Sequence, residues 1–423
     1  MRTVPRAWWC LAPLVAAPLA AVLLAPALTA AQPRAIPQPA TAPAAASAAA
    51  GRCGVCHPAE RVLFDKSGHA QEAVHCTSCH GGNDRSVDLA VAHGAGFRGR
   101  PSRRDIPGLC ASCHSNEDRM RAYNLPVDQY ALYQTSGHGR RLAKGDLSVA
   151  VCSDCHGAHD ILPPSDPASR VFELNIPKTC GTCHGDSATM KARNRPDVFR
   201  QYMSSIHAHQ LFDQGNRRSP TCVSCHGVHG AAPPAVGDVG KVCGQCHTAE
   251  RRYFVAGPHR DGLLRAGRSE CASCHGDHGI EGARPQRLST LCAQCHGAGS
   301  SQAALGGALW TEYRGAAQEI DKAVALIDRA EAVPIQTEDY RARLEEARTY
   351  LREALPAAHS VQRETVEGFT LRARSVSSEI EHEIYAKLGN LRTRKFVLLV
   401  FWFYVLVTIV VLRRFRDRGA RVK

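Results

Sequence analysis

Two cysteines separated by two residues, with histidine directly after, recur nine times in these 423 residues. The cysteine pairs are Cys53/Cys56, Cys76/Cys79, Cys110/Cys113, Cys152/Cys155, Cys180/Cys183, Cys222/Cys225, Cys243/Cys246, Cys271/Cys274 and Cys292/Cys295. The histidines that follow are His57, His80, His114, His156, His184, His226, His247, His275 and His296. Of nineteen cysteines only Cys10 is left over. Cys-x-x-Cys-His is the sequence to which c-type haem is attached. Its thiols add to the two vinyl groups, and its histidine gives iron a nitrogen ligand. A zinc ribbon or a redox dithiol uses Cys-x-x-Cys without needing that histidine, and a disulfide framework has no use for it. The chain therefore reads as a scaffold for nine covalent haem c groups, and every other feature has to be fitted around them.

The two ends set the compartment. Arg2 and Arg6 precede an apolar stretch from Trp8 to Leu28, and Thr29, Ala30 and Ala31 follow. That is an export signal at 1–31, with cleavage near Ala31 removing Cys10. Residues 32–50 are a Pro/Ala-rich linker. At the other end, residues 396–412 are almost wholly apolar, and their length as helix, roughly 25 Å, approaches a bilayer's core. The basic tail 413–423 carries Arg413, Arg414, Arg416, Arg418, Arg421 and Lys423, which places it in the cytoplasm and the haem region in the bacterial periplasm. The formal charge of +13 does not indicate nucleic acid. Part of it is this tail, and haem propionates offset much of the rest.

Between the ends the motifs form a repeat. Phe64 to His69, Tyr133 to His138, Tyr202 to His207 and Phe254 to His259 each place an aromatic residue five positions before a histidine. Each segment lies between two motifs and leads into the second. Three second motifs continue as Cys-His-Gly-x-His, giving His159, His229 and His278; the first has Asn83 at that position. Two-haem modules are thus expected at about 51–107, 108–177, 178–240 and 241–289, with a terminal haem at 290–300. Nine haems in the 51–300 domain leave too little chain for an ordinary core. Gly and Pro between motifs argue for loops and short helices. Residues 301–395 contain no cysteine, and apolar residues recur at helical spacing: Ile320, Val324, Ile327, then Leu344, Ala347, Leu351, then Phe369, Val376, Ile380, Ile384. Pro334 and Pro356 divide this segment into three helices, the last able to run into the membrane span. The fold class is mainly α with extensive irregular loops: an array of tandem two-haem modules, then a helical hairpin or bundle and one transmembrane helix.

Each iron needs a second axial ligand or an open site, and that choice separates a carrier from an enzyme. Beyond the motif histidines twelve remain, against three methionines (Met120, Met190, Met203) downstream of the signal. The repeat nominates His69, His138, His159, His207, His229, His259 and His278. His93 is an eighth candidate, replacing the histidine missing after Cys79. His359, far beyond the last motif, is nominated as the ninth. His75, His209 and His382 read as bystanders.

With these residues in view, the chain resembles exported multihaem c-type cytochromes built from doubled Cys-x-x-Cys-His modules. The resemblance rests on Ser-Gly-His138-Gly, on Val-Cys152-Ser-Asp-Cys155-His156-Gly-Ala-His159 and on Thr-Cys222-Val-Ser-Cys225-His226-Gly-Val-His229-Gly. It covers about residues 52–300. It implies low-spin, bis-histidine haems arranged as a conduit. The implied role is electron transfer between a membrane quinol-oxidising subunit and another periplasmic redox protein, with no catalytic residue in this chain. The alternative is a reductase of a small nitrogen or sulfur oxyanion with one open-site haem. Direct quinol oxidation by this chain is a third reading, weakened by its single C-terminal anchor.

Overall fold

A computed structural model describes residues 51–72 and 74–419. The export signal, the linker and the end of the basic tail lie outside the described residues. The described chain is helical and irregular, with no strand among the described residues.

The attachment motifs sit on short helices, for a simple geometric reason. In Ile106–His114 the two cysteines are three residues apart and the histidine is four from the first, so all three side chains share one face. Ile176–His184 repeats this, and both helices carry proline in the first turn, where a missing N–H costs nothing. Second motifs form one-turn helices, Cys76–His80, Cys152–His156 and Cys222–His226. Ser78, Asp154 and Ser224 accept the N–H of the residue before the first cysteine, at 3.1, 2.7 and 3.1 Å. Glycine follows each of these histidines with positive φ, 67° at Gly81, 86° at Gly157 and 81° at Gly227. A side chain at those positions would strain the turn that ends the helix.

Protein atoms alone build only a thin interior in this half of the molecule. Among described residues 51–300, the buried large apolar side chains are Met120, Leu142, Val149, Val151, Met190 and Leu211. The C-terminal half contrasts with it. Ser301–Glu331, Glu338–Ala357 and Arg363–Gly419 form a three-helix bundle. Its core joins Ile320, Leu326, Ile327, Tyr340, Leu344, Ile380 and Ile384. Fully buried Ala316, Ala323, Ala347 and Ala373 let the helices approach closely. Arg343 binds Glu383 at 2.8 Å and Glu379 at 3.2 Å, tying the second helix to the third. Pro334 falls in the connection between the first two helices. Pro356 is tolerated inside the last turn of the second.

The third helix continues without a break through the apolar residues 396–412. It is long and apolar enough to cross a membrane, with a mean hydropathy of 2.6 and none of that window buried against protein. Array and bundle belong to one contact unit, Ala46–Lys423. They meet where Leu288 and Tyr253 pack on Leu305, Leu309 and Ala357.

Candidate functional site

The distal-histidine segments share one local design. Ser67, Ser136 and Ser205 are fully buried and cap the short helices that begin at Gly68, Gly137 and Ile206. Their hydroxyls accept the N–H of Ala70, Gly139 and Ala208 at 3.2, 2.9 and 3.2 Å. This fixes the histidine at the second helical position. The preceding aromatic residue anchors the unit. Tyr133 donates its hydroxyl to the Ala150 carbonyl and Tyr202 donates to that of Pro220, both at 2.9 Å. Each accepting carbonyl lies two residues before the next motif, so a distal histidine and a second motif are positioned together.

The histidines stand in pairs. His57 faces His93, His69 faces His114, His80 faces His159, and His138 faces His184. His156 faces His229, His207 faces His247, and His226 faces His278. His259 faces His296, and His275 faces His359. Ring centres are between 5.8 and 6.3 Å apart in all of them. Each pair joins one motif histidine to one candidate distal histidine. None of the eighteen rings is used twice. Two metal–nitrogen bonds of about 2 Å, plus about 1 Å from each nitrogen to its ring centre, give about 6 Å. The spacing therefore fits one iron held between two imidazoles, and the thiols beside each motif histidine supply the tether.

Electrostatics agree with that use. Burial lowers the pKa of His69, His114, His138, His156, His184, His207, His226, His229, His259 and His275. Neutral imidazole, the form that ligates metal, is thus favoured. Ring orientation is set from behind in three cases. Nδ1 of His80, His226 and His359 donates to the carbonyls of Gly99, Ala232 and Pro356 at 2.8, 3.2 and 3.1 Å. That leaves Nε2 free to face its partner.

His93 and His359 reach their places by local devices outside the repeat. Asp88 caps the helix Leu89–Ala92, and Phe97 stacks on His93 with ring centres 4.2 Å apart. His93 then stands opposite His57, not opposite the histidine of the motif whose missing successor it replaces. His359 lies in the turn Ala358–Ser360 between the second and third bundle helices. Val361 closes that turn at φ 55°, a conformation that costs a β-branched residue strain. His209 instead binds Asp213 at 2.5 Å, His382 is exposed on the bundle, and Nδ1 of His75 is buried without a partner. Sequence reasoning missed the serine caps, although Ser-Gly-His recurs in two modules.

The attachment thiols are not enclosed alike. Cys56, Cys183 and Cys246 are exposed, as are Cys225, Cys274 and Cys295, whereas the other twelve motif thiols are half-buried. All six exposed thiols are second cysteines of their motifs. A set of nine equivalent motifs in the sequence gives no hint of this inequality, so the even treatment of Cys56, Cys183 and Cys246 as enclosed cofactor-binding residues needs correcting. The reason is the thin interior of residues 51–300. First cysteines lie against the neighbouring motif, while too few apolar side chains remain to cover every second one. Attachment does not require such cover, because the thiol has only to reach a vinyl group, and an accessible sulfur reacts more readily than a buried one.

The half-buried thiols mark the neighbours of each site. Cys110 and Cys152 share a hydrogen bond that raises the first and lowers the second. Cys180 and Cys222 do the same. In the Cys243–Cys271 pair, the bond brings Cys243 down to about 7. Burial and then the Cys76 thiol raise Cys53.

No curated protein and no solved structure matches this chain. Residues 148–248, a window holding the motifs at Cys152, Cys180, Cys222 and Cys243, match the family model described as cytochrome c3. Over that window the chain is similar to a multihaem c-type cytochrome, a class that transfers electrons.

Proposed function

We propose that this protein is a membrane-anchored nonahaem cytochrome c that carries electrons through bis-histidine sites outside the cytoplasm. The observation that carries the reading is the set of nine ring pairs, one for every motif. The eighteen motif cysteines would hold the groups, and the paired histidines would take both axial positions. Bound haem would supply reversible one-electron chemistry at iron. The chain's own part is to set spacing, keep the imidazoles neutral and exclude water. Because every motif histidine faces a second imidazole, no site offers a free distal side to an oxyanion. That favours the carrier over the reductase.

The bundle bears on the partner. From Arg363 to Phe396 the third helix rises about 50 Å, at about 1.5 Å per residue. His359, beside its start, is therefore far from the apolar residues of the span. Electrons from a membrane quinol would reach the His275–His359 site through an extramembrane redox subunit and not by direct contact with the bilayer. Mass spectrometry of the purified protein should show the mature chain plus nine haem masses. Electron paramagnetic resonance of the oxidised protein should show low-spin iron alone. Seven or fewer haems, or one full equivalent of high-spin iron, would overturn the reading.

A further inference from the structure

We infer that each distal histidine inside the array serves the haem site of an adjoining module, so that neighbouring modules are locked together by exchanged ligands. The inference rests on the bis-histidine reading above and adds which histidine belongs to which site. At the first junction His69 reaches forward to His114, while His159 reaches back to His80. The second junction repeats this with His138 to His184 and His229 to His156. The third repeats it with His207 to His247 and His278 to His226. Every junction between full modules is therefore crossed twice, in opposite directions.

A backbone bond recurs beside each crossing. The residue before the forward histidine donates its N–H to the carbonyl two residues past the backward one. The bonds are Gly68 to Ile161 at 2.9 Å, Gly137 to Ala231 at 2.9 Å and Ile206 to Ile280 at 2.8 Å. The register is constant, as a true repeat requires.

The exceptions fall at the two ends and follow from the rule. The first module has no predecessor. A histidine at position 83 would have no earlier site to reach, and Asn83 stands there. For the same reason no earlier module can supply a ligand to His57, and His93 does so from the inserted helix. At the far end the terminal motif continues as Gly297-Ala298-Gly299, without a backward histidine. His259 still reaches forward to His296, but His275 would be left without a partner. The bundle turn supplies His359 in its place. At this junction Pro258 occupies the position of Gly68, Gly137 and Ile206. It has no N–H, and there is no following repeat segment to accept one. A side chain on Gly257 would come within 2.9 Å of the Ser360 carbonyl and 3.1 Å of that of His359. Glycine here lets the bundle turn close on the array.

Exchange also orders the sites. Within modules, first cysteines touch in the pairs described above. Between modules, Cys79 is raised by burial and then by Cys110 and Cys113, and Cys155 to about 11 by burial and then by Cys180. Cys225 responds in the same way to Cys243, and Cys274 to Cys295. Successive motifs are spatial neighbours throughout. The sites form one continuous row in sequence order, from Cys53 to the bundle.

The test is a double-mutant cycle on the full-length holoprotein. His69→Ala, His114→Ala and the double variant are compared by haem mass and by quantified high-spin iron. Each single variant should convert one haem equivalent, and the double variant should also convert one, because both rings face the same iron. Should His114→Ala lose its haem during assembly, adding His69→Ala should create no new high-spin iron. Two converted equivalents, or one new equivalent in the haem-deficient background, would overturn the exchange. The cycle His138→Ala with His184→Ala repeats the test at the next junction. High-spin iron or missing haem in the unaltered protein would instead refute the bis-histidine reading itself.

Discussion

At the scale of residues, small groups govern how the histidines are presented. Ser136 caps the helix that carries His138, and Gly139 follows directly. A Cβ on Gly139 would collide with the Tyr133 carbonyl, a clash with backbone that no rotamer relieves. Two other modules have Ala70 and Ala208 in that place, so the restriction belongs to this module. Ser136→Ala should lower stability by about 1 kcal/mol through loss of the cap. Gly139→Ala should cost more, about 1–3 kcal/mol, because overpacking adds strain. Thermal unfolding followed by the haem absorption band would rank the two. A melting temperature for Gly139→Ala equal to the parent's would show that the turn can open to take a methyl group.

At the scale of elements, the bundle helices do more than pack on one another. Helix propensity and an alanine-lined core bring the second and third helices together, and their junction turn carries His359. A left-handed Val361 and a buried Ser360 hold that turn in one conformation. His359→Ala should convert one haem, and only one, to high-spin or water-ligated iron with nine still attached. The check is quantified electron paramagnetic resonance alongside the intact mass. Unchanged low-spin iron would remove His359 and bring His75, His209 or His382 forward. Loss of several low-spin haems at once would mean that the turn supports the array as a whole.

At the scale of the molecule, two unlike halves share one task. The array has little protein core and depends on its bound groups for an interior, whereas the bundle has an ordinary apolar core and supports itself. The third helix joins the two to a membrane span. Truncation before Phe396 should leave the array and most of the bundle intact, since Ile384 is the last buried core residue. Cell fractionation should then find a haem protein free in the periplasm. Retention in the membrane fraction would show an uncleaved N-terminal anchor instead.

The sequence by itself determined what is covalent or periodic. Cys-x-x-Cys-His marks attachment because the chemistry needs those atoms in that order. The apolar spacing of 301–395 marks helices because one turn is 3.6 residues. The doubled modules were legible from Ser-Gly-His138 and Cys-His-Gly-x-His159, and the scarcity of methionine pointed to histidine on both faces. Exposure and pairing were not legible. Cys53 and Cys56 belong to one motif, yet only the second is exposed, because only the first lies against the next motif's Cys76. His69 lies nearer in sequence to His80 than to His114, yet its ring stands opposite His114, because the capped helix carrying it crosses a module boundary. Position along the chain says nothing about which imidazoles meet across a gap of about 6 Å. Tertiary structure decides that, by fixing where each short helix sits when the backbone bonds from Gly68, Gly137 and Ile206 close.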